Sequence, residues 1–222
     1  MRIKNLIDED FANYKKPSLF IGCGECDFKC DRECGKAVCQ NSALAKAPSV
    51  SVYEGEIIDR FFNNPITEAF VFGGLEPFYS QETVDCLIRL MLEIIAQHGF
   101  RHYTEPIDVV IYTGFYPDEV YDYLKDIQKN IGTVYNGKGI NVIIKFGRFI
   151  PDDEPRFDNL LGVELASSNQ YAMELADAIE GAELRIKLAE WAKRRTEYLS
   201  KKKPKENFDN EWYKSFGEQR DV

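Results

Sequence analysis

The sequence predicts an α/β protein built on a mostly parallel sheet. Three features carry that expectation: short apolar runs rich in Val, Ile and Phe, segments of helical period between them, and glycines where the runs stop. The first run, Pro17 to Ile21, ends at Gly22 and feeds a loop rich in cysteine. Residues 52–63 carry Ile57, Ile58, Phe61 and Phe62 on one helical side, and the run Ala69 to Phe72 breaks at Gly73 and Gly74. A helix over 81–98 ends near Gly99. Ile107 to Tyr112 is a β-branched run broken at Gly114, and Pro117 with Asp118 opens the next helix. Asn141 to Lys145 is a strand stopped at Gly147, and Leu161 to Leu165 is a further strand leading into Ala166 to Gln170. From Ala172 to Lys203 the spacing predicts one long helix, bent or divided at Gly181, with Leu184, Leu188, Trp191 and Tyr198 on one stripe. The segment from Lys201 onward is polar and expected to be loosely ordered, its lysines favoured by the helix dipole.

In a parallel sheet the ligand crevice lies outside the carboxyl ends of the strands. The cysteine loop, Gly73 with Gly74, Thr113 with Gly114, Gly147, and Ser167 to Gln170 all follow strands directly. They are therefore expected to collect at one mouth.

Composition narrows the function classes. The 222 residues are 44% hydrophobic and 29% charged, enough for a sizeable core. A net charge of −9 argues against a free-standing nucleic-acid binder. No run approaches the ~18 apolar residues of a membrane span, and the N-terminus turns acidic without an apolar signal core, so the expected location is cytoplasmic. Residues 182–222 hold 11 Lys+Arg against 8 Asp+Glu, leaving 17 against 29 in residues 1–181. That shift suggests a boundary near residue 180, and the acidic body and basic tail are candidate docking surfaces.

Cys23, Cys26, Cys30, Cys34 and Cys39 fall within 17 residues, and only Cys86 lies elsewhere. Thiolates bunched in a cytosolic protein point to zinc or an iron–sulfur cluster rather than to a disulfide framework. Four of them could close a tetrahedral zinc knuckle, but the ~12–20-residue loop that separates two CxxC knuckles in common zinc ribbons is missing. Three could instead hold a 4Fe–4S cube with one iron left open for a ligand. Cys86, among Val84, Leu87, Ile88 and Met91, reads as an inert core residue, and His98 and His102 carry no expected role.

The segment Cys26-Asp-Phe-Lys-Cys30 after a first strand, with Cys39-Gln-Asn41 downstream, resembles the cluster loop of radical S-adenosylmethionine (SAM) enzymes. Within that superfamily the chain looks most like the activating protein of the anaerobic (class III) ribonucleotide reductase. Phe72-Gly-Gly-Leu-Glu-Pro-Phe78 resembles the glycine-rich SAM turn, and Ile111-Tyr-Thr-Gly-Phe115 an aromatic-Thr-Gly-aromatic strand end. Phe146-Gly-Arg-Phe149 resembles a later Gly-x-Phe turn and Ser167-Ser-Asn-Gln170 the closing Ser-Asn-Gln. The resemblance implies a partial (β/α) barrel-like domain over 1–171, with 172–222 as a helical extension and tail.

It further implies a 4Fe–4S cluster on Cys26, Cys30 and Cys39. The family spacing is CxxxCxxC, so Cys34 is an alternative third ligand; Val38 before Cys39 and Asn41 after it favour Cys39. SAM would lie against Gly73 and Gly74, with its ammonium on Glu76, its ribose or adenine on Asn169 and Gln170, and Thr113 also at the cofactor. Leu75 is inserted before Glu76, and Lys145 stands where relatives tend to carry an acid. The implied substrate is a glycine of the reductase large subunit, and the implied partner a one-electron donor such as flavodoxin. Another small radical SAM enzyme, either a different activase or a deazaguanine-type synthase, is the alternative enzyme, and a zinc-stabilised α/β binding module the alternative without chemistry. On the simplest view Gly73 and Gly74 form only a tight turn, Asn169 caps a helix starting near Tyr171, and Thr113 is a strand-end hydroxyl.

Overall fold

A computed structural model describes residues 1–133 and 138–201. The strands are β1 (Arg2–Asp10), β2 (Ser18–Cys23), β3 (Val50–Ser51), β4 (Ala69–Gly73), β5 (Ile107–Tyr112), β6 (Ile140–Phe146), β7 (Arg156–Asp158), β8 (Val163–Leu165) and β9 (Tyr171–Glu174). Among them run helices α1 (Lys29–Cys34), α2 (Ser42–Lys46), α3 (Glu54–Asn63), α4 (Gln81–Phe100), α5 (Tyr121–Gly132) and α6 (Leu175–Lys201). Seven strands form one sheet in the order β3-β1-β2-β4-β5-β6-β9, while β7 and β8 pair as a separate antiparallel ribbon. The pairs β2–β4, β4–β5 and β5–β6 are parallel, so the expected parallel core is present; β1 and β9 run antiparallel to it.

The parallel strands follow one another in chain order, each joined to the next through a helix. Right-handed crossovers then place α3, α4 and α5 on one face of the sheet. The packing agrees. Phe70, Phe72, Val109, Ile111, Val142 and Ile144 join Ile57, Phe61, Leu87, Met91, Leu124 and Ile127 in the larger core. The alternate residues Phe20, Val71, Val110 and Ile143 meet Tyr14, Leu161 and Leu165 on the opposite face. Both faces are covered, which is why these strands are apolar throughout rather than alternating. Ser80 caps α4, its side chain accepting the Thr83 N–H at 3.3 Å, and Pro117 opens a 3-10 turn (Pro117–Glu119) before α5.

Register sets up the mouth. Gly22 pairs with Gly73, and Tyr112 with Lys145. Two residues beyond Phe20, Val71, Val110 and Ile143, the row Gly22, Gly73, Tyr112, Lys145 crosses the four strands on the face away from the helices.

Three expectations are corrected. Leu161 to Leu165 is no strand of the main sheet: only Val163–Leu165 is extended, and it pairs with β7. The place beside β6 belongs to β9, whose residues Tyr171–Glu174 were expected at the start of a helix. Asn169 therefore caps no helix, because a strand follows it. The long helix begins at Leu175 and runs on through Gly181 without a break. β1 was missed because Arg2–Asp10 is polar and acid-rich, without the clean alternation of a half-buried strand.

By compactness the chain divides into Met1–Glu183 and Leu184–Val222. In the first, α6 buries Leu175, Ala178, Ile179 and Ala182. In the second, Leu184, Leu188 and Trp191 are each more than half exposed. The side chain of Tyr198 and the tail from residue 202 lie outside the described residues. Among the described residues no helix is long and apolar enough to cross a membrane.

Candidate functional site

At the carboxyl ends of the parallel strands a cavity of about 520 Å³ opens on the face away from the helices. Cys26, Cys30 and Cys39 line it, as do Gly74, Glu76, Thr113, Lys145 and Gln170. Cys34, one helical turn beyond Cys30 in α1, is not among its described lining residues. Cys23 is fully buried at the end of β2 in the helix-side core.

The loop that carries these cysteines is bent sharply at both ends of α1, at Phe28 (φ 54°) and Gly35 (φ 65°). The Phe28 N–H donates to Cys26 Sγ at 3.3 Å. Asp31 Oδ1 accepts the N–H groups of both Val38 and Cys39 at 2.8 Å, drawing Cys39 back to α1. Burial pushes the Cys26 thiol up to about 12; the Phe28 amide opposes this, and negative charge on Glu76, Asp27 and Cys39 adds to it. Burial also raises Cys30, whose charge interacts with Cys39, Arg148 and Lys145. Cys26 and Cys30 thus share one electrostatic neighbourhood in which a free thiolate is disfavoured. Positive charge supplied with a metal would reverse that preference.

Glu76 is 6% exposed and its carboxylate is filled from three sides. Oε1 accepts the Thr113 hydroxyl at 2.7 Å and the Phe78 N–H at 3.0 Å, and Oε2 accepts the Gly114 N–H at 3.0 Å. Burial outweighs these bonds and raises Glu76 to about 7. Its own N–H donates to Glu25 O at 2.8 Å, which ties the glycine turn to the cysteine loop. The inserted Leu75 is absorbed into the core. Thr113, expected at the cofactor, commits its hydroxyl to Glu76 and accepts the Phe115 N–H at 3.0 Å.

The two glycines of the turn differ. A Cβ on Gly73 would lie 3.2 Å from Tyr112 Cβ and 3.3 Å from the Phe20 ring, so side chains fill its open side. Gly74 adopts φ +76° and borders the cavity, where a Cβ would meet Leu44 at 2.6 Å. Gly114 lies between Cys30 Sγ and Glu76 Oε2, at 3.6 and 3.7 Å from the position of a Cβ.

The closing motif is also divided. Gln170 is buried, lines the cavity and donates to Gly147 O at 3.3 Å. Asn169 is not among the described lining residues; its amide donates to Arg148 O (2.9 Å) and Tyr116 Oη (3.2 Å) and accepts from Ser167 Oγ (2.8 Å). It braces the β6 turn. Arg148 in that turn grips both Glu119 oxygens (2.5 and 2.7 Å) and reaches Glu33 of α1 at 3.0 Å; Lys29 also pairs with Glu119. These pairs bind the cysteine helix to the ends of β5 and β6.

Sequence reasoning assigned no role to Lys145, although a lysine inside the apolar run Ile140–Phe146 was the available signal. It is 7% exposed, its ammonium donates to Gly147 O at 2.9 Å, and among the described residues no carboxylate pairs with it. Burial lowers it to about 8, against the opposing pull of Cys30 and Glu76. Asn5 of β1 also lines the cavity, with a buried side-chain oxygen that has no hydrogen-bond partner among the described residues.

Compared with known protein families, curated proteins and solved structures, the chain matches none. Among the described residues no three His, Cys, Asp or Glu side chains are gathered closely enough to ligate a single metal ion. Three soft thiols nevertheless border one cavity, a donor type that suits soft metals and iron–sulfur clusters.

Proposed function

We propose that the chain is a radical SAM enzyme of the glycyl-radical-activating kind. The observation that carries this reading is the convergence of Cys26, Cys30 and Cys39 on the same cavity as Gly74, Glu76 and Gln170, at the carboxyl ends of parallel strands. The partial-barrel architecture of that superfamily is supported by sequential parallel strands with helices on one face and the cavity on the other.

Cys26, Cys30 and Cys39 would hold a 4Fe–4S cluster, with Cys34 outside. Gly74 offers backbone without a side chain, and Glu76 keeps acceptor capacity on Oε2 for an ammonium group of SAM. Gln170 can hydrogen-bond its nucleoside end. Once bound, the cluster and SAM would supply reductive cleavage to methionine and a 5′-deoxyadenosyl radical. The protein's work is to orient that pair and exclude water. The proposed substrate is a glycine Cα–H of an anaerobic ribonucleotide reductase large subunit, with an electron donor such as flavodoxin.

Anaerobic reconstitution followed by EPR of the reduced protein, with and without SAM, tests the reading. A cluster signal that changes on adding SAM, with 5′-deoxyadenosine formed, is expected. Colourless protein holding one zinc would make the cysteines structural instead. Cys39→Ala should lose the cluster while Cys34→Ala retains it.

A further inference from the structure

Eight residues separate Cys30 from Cys39, and a span of that length held only by its own backbone leaves the third thiol free to wander. The structure closes it with one side chain. Asp31, next to Cys30 in α1, accepts the Val38 and Cys39 N–H groups on the same oxygen, each at 2.8 Å. An ionised carboxylate is an acceptor only, so it takes both amides without competing as a donor. α1 is itself anchored, through Glu33 and Lys29, to Arg148 and Glu119. The backbone of Cys39 is thereby fixed to an element that is fixed to the sheet, while Cys34 ends that element and is not among the described residues lining the cavity.

We propose that Asp31 is a positioning residue: it converts a long cysteine spacing into a three-thiol site by bonding the Cys39 amide to α1. The proposal rests on the radical SAM reading only for what the thiols hold. The loop closure itself exists without metal.

The test uses the full chain and two variants, Asp31→Ala and Asp31→Asn. In reduced, metal-free protein, amide exchange at Val38 and Cys39 is followed by NMR. After anaerobic reconstitution and desalting, iron and sulfide are counted. Asp31→Ala should speed exchange of those two amides at least about tenfold and leave the sheet amides unchanged. Its retained iron should fall several-fold. Asp31→Asn, whose amide oxygen still accepts, should preserve both. Unchanged exchange in Asp31→Ala, or lost protection with full iron content, overturns the proposal. Wild-type protein with protected amides but no cluster overturns the radical SAM reading and leaves the loop closure standing.

Discussion

Lys145 shows what a single residue can reveal about a site. Burying an ammonium with one carbonyl partner and, among the described residues, no paired carboxylate costs stability. Lys145→Met keeps the length of the side chain, and Gly147 O retains its bond from Gln170. The variant should be more stable by about 1–2 kcal/mol in urea melts of the metal-free protein. On the proposed radical SAM reading it should also be slower in forming 5′-deoxyadenosine. Lower stability would mean that the amine is satisfied within the fold itself. Glu76 teaches the complementary lesson. Its place after the glycine turn was legible in sequence, but its dependence on Thr113 was not, because the partners are 37 positions apart and only the β4–β5 pairing brings them together.

Among the elements, the four parallel strands are fastened at the end opposite the cavity by a second polar cluster. Asp108 of β5 accepts from Lys16 (2.5 Å), Tyr14 (3.0 Å) and Asn141 of β6 (3.0 Å). Burial alone would raise its carboxyl, but these donors outweigh burial and hold it below the usual aspartate range. A depressed carboxyl contributes stability above its ordinary pKa and loses that contribution as pH falls through its folded value. Asp108→Asn should therefore cost about 2 kcal/mol near neutral pH. The gap from wild type should close on acidification, which urea melts in an acid pH series would show. A gap independent of pH would assign the loss to packing. The same scale explains the misread segments. β1, polar and acid-rich, lies between β2 and the two-residue β3, and β9 is a short edge strand leading directly into α6, so the helical spacing reads as beginning at Ala172.

At the scale of the whole molecule, the buried residues show how far the folded body extends. β9 completes the sheet, and Ala178, Ile179 and Ala182 of α6 are buried. A chain ended after Glu183 should melt within a few degrees of the full protein by circular dichroism, whereas one ended after Tyr171 should fail to fold cooperatively. Equal melting of the two would show that the first turns of α6 add nothing. The charge shift suggests a boundary near residue 180 and the recognisable motifs stop at 171; motifs mark chemistry, whereas burial marks the body.

The sequence by itself determined the parallel strands, the helices between them, and the gathering of the cysteine loop, Gly74, Thr113 and Gln170 at one mouth. Those are consequences of local apolar period and of glycines at strand ends, which neighbouring residues carry. Only the tertiary structure decided that Cys39 faces the cavity and Cys34 does not, that Asn169 braces a turn, and that Lys145 is buried at the site. Each depends on residues far apart in the chain sharing one register across the sheet, or on a side chain bridging a loop, and local spacing does not encode either.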